Sequence, residues 1–192
     1  MGRRLLLLLL SSLLFIGEAF ATMSSSIVFE FRSSGTGSMV NGGGFKTGAS
    51  GTDYSQQDAA QWTAADGTST ASTTFISLTS TFTSAIVGNV LHITAGTGAT
   101  VGWYEVTGYT DANTVTLDRV SGTYTAATFY VGGALSLNST LDDDFFEEIS
   151  GANTTDGVKV WFKNGSFTLG EAVSIAGAGG TLAPIKIIGY KT

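Results

Sequence analysis

The sequence predicts an all-β protein, and three observations lead to that fold class. Gly, Ser and Thr supply 75 of the 192 residues, a composition that suits strands and turns better than helices. Apolar and polar residues alternate with a period of two along most segments after residue 26. Clusters of Gly, Asn and Asp interrupt this alternation at short intervals, as turn residues do between short strands.

Composition also excludes several classes of function. The chain has no Cys, which excludes disulfide scaffolds, thiolate metal sites and cysteine nucleophiles, and its single His leaves no histidine-rich metal site. The formal net charge is −6 with nine Lys and Arg residues, so no basic surface for nucleic acid is predicted. We therefore expect no metal, no cofactor and no nucleic-acid partner.

The N-terminus has the pattern of a Sec-type signal peptide. Arg3 and Arg4 precede an apolar stretch at residues 5–16, and Ala19 and Ala21 are small residues placed for cleavage after Ala21. A membrane anchor is the alternative, but the stretch is shorter than the ~20 residues needed to span a bilayer. The prediction is a signal peptide at residues 1–21, a secreted or cell-surface protein, and no stable membrane span after cleavage.

Strands are predicted on both sides of a Gly-rich loop. The first strand is predicted at residues 27–32, and the loop after it contains Asn41 followed by three glycines. Five more strands are predicted between residues 74 and 131, which suits a small barrel or sandwich-like module. Their predicted ranges are 75–78, 90–94, 103–109, 114–118 and 128–131.

One helix is predicted, at residues 141–149. Leu141, Phe145, Phe146 and Ile149 form an apolar stripe at helical spacing, and acidic residues take the opposite face. The acidic residues are Asp142, Asp143, Asp144, Glu147 and Glu148. Strands are predicted to resume at residues 158–163, 167–169, 173–175 and 185–190, all with a period of two.

Four blocks, in this order, resemble the start of the right-handed parallel β-helix proteins of the pectate-lyase-like superfamily. Residues 27–31 with 41–45 are similar to the opening strand and Asn/Gly-rich loop of that family, and residues 141–149 resemble its N-terminal capping helix. Residues 158–167 and 183–190 are similar to strands of its first coil.

The resemblance implies the start of a right-handed parallel β-helix with a short N-terminal capping helix and an inserted small antiparallel β module. It implies a head at residues 22–51, the inserted module at 52–133, and the capping helix with the first coil at 134–192. Further coils, which carry the catalytic residues and calcium ligands in this family, are expected beyond residue 192. Residues 51–58 are also similar to a segment of phage tail and virion-associated proteins. The pattern as a whole is similar to secreted bacterial β-helix proteins.

Three patterns suggest a chemical role, and the sequence favours a structural alternative for each. The acidic residues of the predicted helix could form a divalent-cation site or an acid–base pair, and the structural alternative is a solvated helix face. His92 could act as the base of a Ser-His-Asp set, and the structural alternative is a histidine that is exposed or lines a groove. Residues 96–102 have the Gly spacing of a phosphate loop but lack its lysine, which favours a hairpin loop.

Aromatic side chains give the most suggestive binding pattern. Trp103, Tyr104 and Tyr109 lie on one predicted strand, and exposed Trp or Tyr rings can stack on sugar rings. Because Trp103 and Tyr104 are adjacent, they face opposite sides of the strand, and at least one of them is expected in the core. These three residues are the predicted glycan contacts, and no catalytic residue is predicted.

The sequence thus predicts an exported surface structural or glycan-adhesion protein without catalytic activity of its own, with a polysaccharide or cell-surface glycan as partner. The alternative is the truncated N-terminal part of a polysaccharide lyase or hydrolase of the β-helix class. A third expectation is a homo-oligomer that forms through the exposed end of the β-helix.

Overall fold

Two β-structures make up the described part of the chain: a closed barrel and an open four-stranded sheet. The computed structural model describes residues 22–33, 37–137, 141–150, 158–163, 166–170, 172 and 186–190. The predicted signal peptide at residues 1–21 lies outside these ranges. Within them, no helix has the length and apolar composition needed to cross a membrane.

The described residues form ten strands, one α-helix and a short 3-10 turn at Ser84–Ile86. The first eight strands are β1 (Ile27–Phe31), β2 (Gly44–Lys46), β3 (Trp62–Thr70), β4 (Thr74–Ile76), β5 (Val90–Ala95), β6 (Gly102–Asp111), β7 (Thr114–Leu117) and β8 (Thr123–Val131). Helix α1 (Asp142–Ser150) follows, and then β9 (Lys159–Lys163) and β10 (Lys186–Tyr190).

Six strands close into an antiparallel barrel in the order β3-β4-β7-β6-β5-β8, with β8 paired to β3. Large apolar and aromatic side chains fill its interior, among them Phe75, Tyr104 and Phe129. The sequence prediction missed β3, because its residues WTAADGTST include few large apolar side chains. Strand β3 packs closely against the interior side chains at this point, since a Cβ at Gly67 would lie 2.8 Å from the ring of Phe75.

Residues 90–93 of β5 and 102–106 of β6 are buried on both faces, because they separate the barrel interior from a second core outside it. Leu91 and Tyr104 belong to the interior core, whereas Val90 and Trp103, each one position away, belong to the outer core. The antiparallel register pairs Leu91 with Tyr104 and His92 with Trp103. These two strands therefore position the side chains on the outer face of the barrel.

The outer core joins the open sheet, helix α1 and the barrel wall. The sheet has the order β10-β9-β1-β2, with β1 antiparallel to β2 and parallel to β9, and with β9 parallel to β10. Phe29 and Phe31 of β1 contact Phe145 of α1, with ring centroids 5.0 and 5.1 Å apart. Trp103 of the barrel contacts the same ring at 5.2 Å. Phe145 thus connects all three parts.

The predicted parallel β-helix is wrong. The described residues form a closed antiparallel barrel and a short mixed sheet, and they contain no stack of parallel coils. The resemblance to the pectate-lyase-like superfamily, and with it to phage tail and secreted bacterial β-helix proteins, therefore does not hold. The physical reason is that a period of two reports which side of a strand is buried, not the direction of its neighbours.

The predicted capping role of the helix is wrong as well. Helix α1 packs on the outer core and on β6, where it covers a barrel wall and not the end of a coil. The described residues 166–170 are irregular where a strand was predicted at 167–169, and the predicted strand at 173–175 lies outside the described residues. The β-helix end at which a homo-oligomer was expected has no counterpart in the described part of the chain.

Gly42 marks a close approach between the loop before β2 and the barrel. A Cβ at this position would lie 1.9 Å from the carbonyl oxygen of Val90 and 2.9 Å from the backbone nitrogen of Gly132. We expect Gly42→Ala to lower the free energy of unfolding by about 1 to 3 kcal/mol, the usual cost of overpacking. Urea denaturation measures this loss. Gly189→Ala is the control, because a Cβ at Gly189 meets no atom within 4 Å, and equal midpoints for the two variants would contradict the close approach.

Candidate functional site

A cavity of about 460 Å³ lies between the outer face of the barrel and helix α1. One wall belongs to the barrel and consists of His92, Val101, Gly102 and Trp103. The opposite wall consists of Leu141 and three acidic residues of α1, Asp144, Glu147 and Glu148. Small-molecule sites in proteins occupy about 300–1,000 Å³, so the cavity has the size of a ligand site.

The barrel wall is built around a stacked pair, His92 and Trp103. These residues lie opposite each other on β5 and β6, with ring centroids 3.7 Å apart and planes 14° from parallel. Two successive carbonyl groups hold the pair. Nδ1 of His92 lies 3.0 Å from the oxygen of Val40, and Nε1 of Trp103 donates to the oxygen of Asn41 at 3.1 Å. Both rings are therefore fixed in orientation by backbone groups.

The surroundings of His92 set its tautomer and its charge. A carbonyl oxygen only accepts hydrogen bonds, so Nδ1 carries the ring proton and donates it to Val40, which leaves Nε2 as an acceptor. Burial lowers the pKa of His92 to about 4, although the carbonyl group of Val40 and the neighbouring backbone of Met39 and Asn41 favour the charged form. At neutral pH the ring is therefore uncharged.

The opposite wall is acidic because α1 places three carboxylates at helical spacing. Glu147 and Glu148 follow Asp144 by three and four positions, so both lie next to Asp144 on one side of the helix. Gly102 allows this side to approach the barrel, since its φ is +150° and a Cβ there would lie 3.0 Å from Oε1 of Glu148. Among the described residues, no group of three or more His, Cys, Asp or Glu side chains is arranged to hold a metal ion.

Arg119 joins the two walls. Its guanidinium group donates to Asp118 and to the carbonyl oxygen of Trp103, both at 2.7 Å, and also to Glu148 of the helix. The same group lies over the ring of Tyr104, 4.1 Å from the centroid. Asp118 accepts a further hydrogen bond from the backbone of Glu105 at 2.8 Å. Burial raises the pKa of Asp118 to about 6, against the opposing effect of Arg119.

The three predicted glycan contacts occupy different environments. Trp103 and Tyr104 are only 2% and 1% exposed, and they belong to the outer and the interior core respectively. Tyr109 is 37% exposed and lies on the part of β6 that extends away from the cavity. A sugar ring could therefore stack on Tyr109 but not on the face of either buried ring, although Trp103 lines the cavity.

The structure also shows where the remaining residues of the sequence patterns lie. The segment 96–101 connects β5 to its antiparallel neighbour β6, which is a hairpin loop. The acidic residues of the helix do not share one environment: Asp142 is buried and accepts a hydrogen bond from the backbone of Gly170 at 2.7 Å, whereas Asp144 and Glu147 are exposed. Sequence reasoning missed Arg119, for which the only signal was an Asp–Arg pair at a strand end.

Comparisons with known proteins give no match. No protein-family model matches the chain, no curated protein matches it, and no solved structure matches it. A function therefore has to be inferred from the cavity itself.

Protonation of His92 is expected to destabilise the fold. Because burial lowers its pKa from 6.5 to about 4, an unfolded chain binds a proton between these values where the folded chain does not. The stability that the neutral ring provides is complete above about pH 7 and falls as the pH drops through 6.5 towards 4. Relative to a His92→Gln variant, the wild-type protein is expected to lose about 2 kcal/mol between pH ~7 and pH ~5 in urea denaturation.

The variant is needed because Asp118 titrates in the opposite sense. Its raised pKa means that the folded chain binds a proton more readily than the unfolded chain, which adds stability as the pH falls below about 6. This contribution is common to the wild-type protein and to His92→Gln, so it cancels in their difference. An identical pH response of both proteins would show that His92 is not buried as described.

Proposed function

We propose that the protein is an exported, non-catalytic surface protein that binds a glycan in the cavity between the barrel and helix α1. The observation that carries the proposal is the contrast between the two walls of this cavity. The barrel wall offers apolar surface for the C–H groups of a sugar ring, chiefly the side chain of Val101, which is 52% exposed. The helix wall offers carboxylates, which accept hydrogen bonds from hydroxyl groups.

The absence of catalytic activity is part of the proposal, and the environment of His92 supports it. His92 is the only histidine of the chain, and Nδ1 is occupied by the carbonyl group of Val40. Within the described residues, no Ser, Thr, Asp or Glu side chain forms a hydrogen bond with its ring. Ser-His-Asp chemistry needs both of these contacts, a carboxylate on one nitrogen and a hydroxyl on the other.

The lyase or hydrolase alternative depended on the β-helix fold. Its catalytic residues were expected on later coils of that fold, so it loses its support together with the coils. Export stays a proposal that rests on the predicted signal peptide at residues 1–21.

The test is a block of the cavity that leaves both cores intact. Val101 lines the cavity and is 52% exposed, whereas Val120 is 51% exposed and does not line it. We expect Val101→Trp to abolish binding of neutral and charged oligosaccharides in isothermal titration calorimetry, and Val120→Trp to leave binding unchanged. Tyr109→Ala tests the predicted contact on the barrel. If this variant alone loses binding, the glycan binds at Tyr109 and not in the cavity.

A further inference from the structure

We propose that the leader, residues 1–21, is removed before residues 22–26 take their place in the fold, so that leader removal and folding compete for the same stretch of chain. The inference goes beyond glycan binding and rests on the export proposed above. In the cleavage, which a signal peptidase performs, water adds across the Ala21–Thr22 peptide bond and yields a carboxylate on Ala21 and an ammonium group on Thr22. The structure holds the second and third residues after this bond in place.

Met23, the second residue after the predicted cleavage point, is fully buried in the outer core. Cleavage after Ala21 leaves this side chain on the mature chain, whereas a cut beyond Met23 would remove it from the core. Exposing a buried Met side chain again lowers an equilibrium constant by about tenfold or more. A peptidase that needs this stretch of chain in an accessible form therefore acts on only a small fraction of the folded molecules.

The third residue, Ser24, is held by a buried carboxylate of the barrel. Its backbone N–H donates to Oε2 of Glu105 at 2.9 Å, and Nζ of Lys46 donates to Oε1 of the same group at 2.9 Å. The side chain of Glu105 is only 3% exposed, so these two donors compensate a charge that is largely shielded from water. Pulling Ser24 away for cleavage removes one of them, which is costly for a buried charged acceptor.

The same segment is also fixed to the open sheet. The carbonyl oxygen of Ser24 accepts from the backbone N–H of Ile27, the first residue of β1, at 3.1 Å, and that of Ser26 accepts from Thr47 at 3.0 Å. Proteases cleave where the chain opens easily, and a terminal segment that is tied down in this way resists them. A precursor that folds before cleavage therefore keeps its leader.

The experiment varies the order in which the full chain meets a signal peptidase. The precursor is unfolded in urea and diluted into detergent micelles, with the peptidase either present from the start or added after refolding. Mass spectrometry follows the appearance of a chain that begins at Thr22. We expect cleavage to be at least about tenfold slower when the peptidase is added after refolding, the factor that corresponds to exposing one buried Met side chain. Equal rates would overturn the inference and leave export standing.

Two variants show whether Met23 protects the bond. Met23→Ala and Met39→Ala remove the same side-chain atoms from the outer core, where both methionines are at most 2% exposed. Because only Met23 lies next to the bond, Met23→Ala is expected to speed cleavage of the refolded precursor about tenfold, and Met39→Ala much less. Each rate is divided by the rate with the peptidase present from the start, which removes the effect of the new residue on recognition by the enzyme. Equal acceleration in both variants would reduce the protection to general stability and overturn the inference.

The remaining outcomes separate this inference from the proposed function. Cleavage in neither order would mean that the leader is not a substrate, and the proposed export would fail together with the inference. A cut beyond Met23, detected as a shorter mature chain, would contradict the structural role of Met23 and overturn the inference alone. Glycan binding in the cavity is tested separately by Val101→Trp, so neither result bears on it.

Discussion

Replacing Phe145 by Ala is expected to lower the free energy of unfolding by about 3 to 5 kcal/mol, the usual cost of removing a buried phenylalanine ring. The ring is fully buried and contacts aromatic rings in all three parts of the outer core. Two of these contacts, with Phe29 at 5.0 Å and Trp103 at 5.2 Å, join the helix to the sheet and to the barrel. No neighbouring side chain can fill the space of a lost ring in a core this closely packed.

Equilibrium denaturation in urea measures the loss, and Leu78→Ala provides the control. Among the residues whose exposure is described, Leu78 is the most exposed large hydrophobic one, at 79%, so its truncation is expected to change stability by less than about 0.5 kcal/mol. Phe145→Leu is expected to fall between the two, because it keeps part of the apolar volume. If Phe145→Ala unfolds at the same urea concentration as Leu78→Ala, helix α1 does not pack on the barrel as described.

The sequence indicates strands wherever large apolar residues alternate with polar ones, and it fails where other forces decide. Strands β1, β5, β6 and β7 coincide in large part with predicted ranges, since alternation at Leu91 and Ile93 places these residues on one face and His92 on the other. Strand β3 was missed, because its inward-facing residues are small, as at Ala64 and Gly67, and a register shift between these two residues interrupts the period of two. Alternation contains no information about strand partners, and the wrong β-helix prediction follows from that gap.

The candidate site was even less visible in the sequence. Its stacked pair depends on the register between β5 and β6, and the carbonyl groups that hold the pair come from Val40 and Asn41, more than fifty positions earlier in the chain. The positions of backbone carbonyl groups cannot be predicted from the pattern of side chains. The acidic helix residues were recognised, but their place opposite His92 depends on the packing of α1, which only the complete fold determines.

Arg119 is the second position where a single substitution is expected to have a large effect. Arg119→Met keeps most of the side-chain volume but removes the charge that compensates Asp118, whose side chain is 2% exposed, and Glu148. Breaking a buried ion pair on one side costs about 3 to 5 kcal/mol, because the remaining charge is buried without a counter-ion. The control is Arg32→Met, which breaks the ion pair with Asp58, a residue that is 61% exposed, and should cost less than about 1 kcal/mol.

The pH dependence of the stability loss in Arg119→Met distinguishes an uncompensated charge from a packing defect. Without Arg119 the pKa of Asp118 rises further above the value of about 6 that burial already gives it, so a proton neutralises the carboxylate in the folded variant as the pH falls. The stability gap between Arg119→Met and the wild-type protein is therefore expected to shrink between pH ~7.5 and pH ~5, and adding Asp118→Asn to the variant should recover part of the gap at pH ~7.5. A gap that stays constant with pH would mean that Arg119 stabilises the fold through the packing of its side chain on Tyr104, and not through the charges that it joins.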